Sequence, residues 1–163
     1  MHNGKRSAMV ATTRSWPLLA VFLALVALAA YTGVVFQPGE WYAALAKPPW
    51  TPPNWVFGPV WALLYVLIAV AGWIVFSIPG TGIARGLWVA QLALNALWSF
   101  LFFGLQSFWL GLADIVALMV CIAFLMYAAD AASRVVTWLL VPYLAWVGYA
   151  FMLTAAILLG NPH

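Results

Sequence analysis

The sequence predicts an all-α membrane protein, a single domain over residues 1–163 folded as a five-helix transmembrane bundle, and three observations predict it. Apolar residues fill 67% of the chain and charged residues only 6%, whereas about a quarter of a soluble globule is charged. Five apolar stretches are each long enough to cross a bilayer, which takes roughly 20 helical residues. The breaks between them are mostly short and carry prolines, glycines or polar caps, so no room remains for a soluble domain.

The first span is expected over 16–36. Lys5, Arg6 and Arg14 precede an apolar core containing Ala27-Leu28-Ala29, the pattern of a cleavable secretory signal. The apolar run nevertheless continues to Phe36, the length of a spanning helix rather than of a signal core. The connection 37–54 is the only long one. It joins a short helix-like piece to Pro48, Pro49, Pro52 and Pro53, which fix φ and stiffen the chain, so an ordered lid is expected; an interfacial loop with an aromatic belt is the plainer alternative.

The second span, 55–76, ends at Ser77-Ile78-Pro79-Gly80 and the third, 86–104, at Gln106-Ser107. The fourth, 108–129, is closed by the polar break 130–134, and the fifth runs over 135–159 with Pro142 inside it. On alternate faces the positive residues are Lys5, Arg6, Arg14, Arg85 and Arg134 against Lys47 alone. The positive-inside rule then puts the N-terminus in the cytoplasm and the lid outside.

With a net charge of +3 and no basic run, nucleic-acid binding has no electrostatic footprint. His2 and His163 are terminal and no His/Cys/Asp cluster has ligand spacing, so no metal site is expected. Cys121 is the one cysteine, which excludes an intramolecular disulfide.

Of eleven tryptophans, Trp16, Trp41, Trp50, Trp55, Trp88, Trp109 and Trp138 fall at or near expected span ends, where an indole is favoured whatever the function. Trp61, Trp73, Trp98 and Trp146 fall inside spans, where the N–H needs a partner. Trp61 shares a helix face with Tyr65, Gln91 with Asn95, and Tyr143 with Trp146 and Ala150. Counting about 1.5 Å per residue brings Trp61, Tyr65, Asn95 and Trp146 to the middle and lid-side half of the bundle, where a pocket beneath the lid would lie. Core packing and interhelical hydrogen bonding are the alternative for each pair. Asp114 is the only acid inside a span, and near a helix end it is expected protonated, hydrogen-bonded or in reach of water.

The order Trp41-Tyr42-x4-Lys47-Pro48-Pro49-Trp50-x-Pro52-Pro53, Trp61-x3-Tyr65, Gln91-x3-Asn95 with Trp98, and Val141-Pro142-Tyr143-x2-Trp146 resembles the translocator protein family of tryptophan-rich sensory proteins. The resemblance covers the chain after its first fifteen residues and is of the bacterial type. It implies a dimeric five-helix bundle in the bacterial inner membrane, with a pocket under the first loop. The implied ligands are protoporphyrin IX or another tetrapyrrole, and isoquinoline or benzodiazepine-type molecules. It further implies Trp41, Pro49, Trp50, Trp61, Tyr65, Gln91, Asn95, Trp98, Tyr143 and Trp146 as ligand-binding, with Trp61 and Trp146 serving any light-dependent porphyrin oxidation. No resident cofactor is implied. A sterol motif of the L/V-x(1-5)-Y-x(1-5)-K/R type is missing from the fifth span, because no Lys or Arg follows Tyr143 or Tyr149; sterol binding is correspondingly marked down. Transport of tetrapyrroles has little support, since five spans do not divide into inverted repeats.

Overall fold

A computed structural model of the chain describes residues 15–161. Lys5, Arg6 and Arg14, on which half of the topology argument rests, lie outside the described residues, as do His2 and His163. The elements run α1 (Trp16–Val35), α2 (Glu40–Ala44), α3 (Asn54–Ser77), α4 (Gly82–Ser99) with a π-helical turn Phe100–Gly104, α5 (Phe108–Asp130) and α6 (Arg134–Gly160). All but α2 are long and apolar enough to cross a membrane, the π turn counting with α4. The chain is an integral membrane protein of the all-α class. Helix is the form that satisfies every backbone N–H and C=O without help from lipid.

α1 packs against α3 and α4, α3 against α6, and α5 fills the space between α4 and α6. Away from the lid the bundle is solid. Leu64, Ile68, Ile122, Leu125, Leu140 and Trp88 meet there with almost no exposed surface. At the lid end the packing is aromatic, with Tyr42, Phe102 and Phe108 buried beside Leu153 and Ile157.

The α3–α4 turn differs from expectation. α4 starts at Gly82, four residues before the expected 86, because side chains hold a tight turn together. The Thr81 hydroxyl lies 2.7 and 2.8 Å from the Val75 and Ile78 carbonyls. Arg85 donates from Nη2 to the carbonyls of Phe76 and Ile78 at 3.2 and 2.9 Å, placing a cation where the last carbonyls of α3 concentrate negative charge. The longer α4 moves Trp88 into its second turn. Expected at an interface, Trp88 is instead a core residue with 1% exposure, its Nε1 donating to the Ile68 carbonyl at 2.9 Å.

Connection 37–54 is ordered and latched to α6 at two points. The Asn161 side chain accepts from the Ala46 N–H at 2.9 Å and donates to the Ala46 carbonyl at 3.0 Å, pairing with the lid backbone as a strand neighbour would. The Tyr149 hydroxyl donates to the Trp50 carbonyl at 3.0 Å, and the two rings meet edge to face at 5.7 Å.

Candidate functional site

Beneath the lid the five spans part around a cavity of about 320 Å³, within the usual size range of small-molecule sites. Every span contributes to its wall. α3 supplies Phe57, Trp61 and Tyr65, α4 supplies Asn95 and Trp98, and the π turn supplies Phe102 and Phe103. α6 adds Trp146, Leu153 and Thr154, while Tyr42 of α2 and Pro38 close the lid side. Gly58 of α3 and Gly33 of the neighbouring α1 also line it. A methyl group at Gly58 would meet nothing within 4 Å, whereas one at Gly33 would lie 3.7 Å from the Ser99 hydroxyl oxygen of α4.

A hydrogen-bonded chain forms the floor. Tyr65 donates its hydroxyl proton to Asn95 Oδ1 at 3.0 Å, and Asn95 Nδ2 donates to the Tyr143 hydroxyl oxygen at 3.0 Å. Three helices are thereby tied at one level, and the Tyr65 end of the chain faces the cavity. Above it Trp61 lies 5.2 Å from the Tyr65 ring with planes 30° apart. Trp146 stacks on Tyr149 at 5.5 Å and meets Phe57 edge-on at 5.8 Å. Trp98 lies flat on Phe102 at 5.0 Å and 10°.

Five of the ten residues singled out by sequence line this space: Trp61, Tyr65, Asn95, Trp98 and Trp146. The other five lie behind or beside it. Tyr143 is fully buried under the floor, reaching the site through its hydrogen bond with Asn95 and an edge-to-face contact with the Trp61 ring at 6.3 Å. Gln91 sits one turn from Asn95 and donates Nε2 to the Trp88 carbonyl of its own helix at 3.0 Å, leaving Oε1 without a hydrogen-bond partner among the described residues. Trp41 packs on Phe102 and Phe108 at 5.6 and 5.3 Å, bracing the lid. Pro49 and Trp50 belong to the outer lid, Trp50 being 47% exposed.

Phe57, Phe102 and Phe103 were not among the residues read from sequence. The π turn brings both adjacent phenylalanines to the wall: the Leu105 N–H reaches back to the Phe100 carbonyl at 2.8 Å, and such i to i+5 turns reorient side chains and favour functional sites. The aromatic run at 100–103 ahead of Gly104 was the available signal.

Asp114 is buried on α5, with Oδ2 lacking a hydrogen-bond partner among the described residues, and it does not line the cavity. The carboxyl sits on α5 next to the wall residue Ile115. No group of three His, Cys, Asp or Glu residues able to hold a metal occurs among the described residues.

A profile of the TspO/MBR family matches residues 18–159. The chain is 39% identical to the tryptophan-rich protein TspO of Chlorobaculum tepidum over 88% of its own length and 96% of that protein's. It is 40% identical to the tryptophan-rich sensory protein of Cereibacter sphaeroides, covering 80% and 83% of the two chains. With the human translocator protein the identity is 33% over 87% and 89%. Matching over nearly the whole length, and nearer to these bacterial proteins than to the human one, the chain belongs to the TspO/MBR family as a bacterial-type member.

Proposed function

We propose that this protein is a membrane receptor for a tetrapyrrole, protoporphyrin IX or a close relative, bound in the cavity beneath the lid and serving tetrapyrrole or stress sensing. The observation that carries this reading is a space walled by the indoles of Trp61, Trp98 and Trp146 with the hydrogen-bonded Tyr65 and Asn95 at its floor. A flat apolar ring gains by contact with indole faces, while a few fixed polar groups orient it.

Trp61 and Trp146 favour a second reading, light-dependent oxidation of the bound porphyrin by oxygen. The site has no general acid–base pair, so such chemistry would draw on the ligand's excited state, with indoles as electron donors. Phenylalanine keeps the apolar contact but donates electrons poorly. Trp61→Phe and Trp146→Phe should therefore weaken protoporphyrin IX binding only several-fold, for a loss of about 1 kcal/mol each, while slowing any photobleaching far more. Trp138→Phe, 72% exposed on the outer side of α6, should change neither. Titration and illumination of the purified protein check this; wild-type behaviour in both cavity variants with a loss in Trp138→Phe would overturn the site.

The same reading takes the protein as a dimer in the bacterial inner membrane with the lid outside. Arg85 and Arg134 lie at the end opposite Lys47, and α4 leaves the small residues Gly86, Ala90 and Ala93 exposed, permitting close approach of a second copy. In a Cys121→Ser background, Glu40→Cys should label from outside intact cells and Ala132→Cys should not, while Ala90→Cys should form a disulfide-linked dimer. The reverse labelling pattern would invert the orientation. Failure of Ala90→Cys and Ala93→Cys alike to cross-link would remove the interface.

A further inference from the structure

A second cavity, of about 370 Å³, lies in the lid itself, lined by Pro38, Tyr42, Lys47, Thr51 and Asn54 among others. Pro38 and Tyr42 belong to the walls of both cavities, so the aromatic chamber and the lid cavity share part of a wall. Lys47 is the only cation among the described residues at this end of the bundle.

Its ammonium is held in place without being neutralised. Nζ donates to the carbonyls of Ala43 and Leu45 at 3.1 and 3.2 Å and sits 4.8 Å from the centre of the Tyr42 ring. An ammonium has three donors, and two are spoken for. Among the described residues the one salt bridge is Arg134 to Asp130, at the far end. Burial, with a smaller contribution from Tyr149, lifts the Tyr42 phenol above its ordinary value, so that ring stays neutral and supplies no counter-ion. Glu40, the acid of the lid, makes no ion pair with Lys47. A partly buried cation, fixed by two carbonyls with one N–H to spare, is a ready partner for a carboxylate.

We infer that Lys47 receives a carboxylate side arm of the ligand, so that the protein selects planar apolar molecules carrying an acidic arm that passes Tyr42 into the lid cavity. This rests on the tetrapyrrole reading above and adds to it a charge requirement. The simpler role for Lys47, closing the end of α2 through the same two carbonyls, predicts no dependence on ligand charge.

The test compares protoporphyrin IX with its dimethyl ester on the full chain in phosphatidylcholine nanodiscs. Wild type should bind the diacid roughly tenfold more tightly than the diester, with the ratio falling as salt rises. Lys47→Gln should bring the ratio within about twofold while leaving diester affinity unchanged, and Lys47→Arg should keep most of it. An unchanged ratio in Lys47→Gln would overturn the inference. Equal loss of both ligands would overturn it too, because it marks Lys47 as a structural cap. If phosphatidylglycerol in the nanodisc abolished the diacid's advantage, the cation serves lipid phosphates instead and the inference fails. Failure of wild type to bind either form would bring down the tetrapyrrole reading itself, a result distinct from binding both equally.

Discussion

Replacing Gly72 by alanine is expected to destabilise the bundle by about 3 kcal/mol, the upper end of the usual cost of overpacking. A methyl group there would sit 2.6 and 2.7 Å from Nε1 and Cζ2 of Trp88. The indole has no room to retreat. Its Nε1 is anchored on the Ile68 carbonyl, and Phe22 and Phe76 meet it edge-on at 4.9 and 6.0 Å. Spanning helices gain little from hydrophobic exclusion against one another, since lipid is as apolar as they are; close van der Waals contact carries much of the association. Losing the Gly72–Trp88 fit therefore loosens α3 from α4 directly. Thermal unfolding in a fixed detergent should drop by roughly 6–12 °C. Trp88→Phe removes the atoms that collide, so the double variant should lie closer to Trp88→Phe than the sum of the two losses allows. Strict additivity would show that the collision is not what Gly72 avoids.

Asn95→Leu is expected to cost roughly 2 kcal/mol, within the range for orphaning a buried polar group. Two hydroxyls lose their partner, but they are not equal. Tyr65 borders the cavity and can turn to water there, whereas Tyr143 is fully buried and has no other hydrogen-bond partner among the described residues. Removing both ends of the sealed bond should hurt less than removing one, so Asn95→Leu with Tyr143→Phe should recover part of the loss, and Tyr65→Phe alone should cost well under 1 kcal/mol. Unfolding midpoints of the three variants in one detergent check the order. A double variant less stable than Asn95→Leu would mean that the amide acts through packing and not through the chain of hydroxyls.

The tryptophans show where sequence reading stops. Trp16, Trp55, Trp109 and Trp138, expected at interfaces, are more than 70% exposed on the protein surface. Trp88, placed with them by its distance from an expected helix end, is core. The difference lies in the helix start, expected at 86 and found at Gly82; only the contacts of Thr81 and Arg85 with the last carbonyls of α3 reveal how tight the turn is. The lid was legible through its prolines. Its latch was not, because Asn161 and Ala46 are 115 residues apart and one side-chain amide carries no signal of its partner.

The sequence by itself determined the membrane class, the number of spans, the ordered lid and the family, because span length and hydropathy are set by bilayer thickness and the lid motif is local. Which face of each helix turns inward was decided by tertiary structure. A helix in lipid is apolar all round, so the stripe that marks the buried face of a soluble helix is missing. Rotation is then set by individual contacts: Gly72 admitting Trp88, the π turn presenting Phe102 and Phe103, Asn95 tying Tyr65 to Tyr143. Those contacts leave the bundle solid at one end and hollow beneath the lid, an asymmetry that no single span encodes.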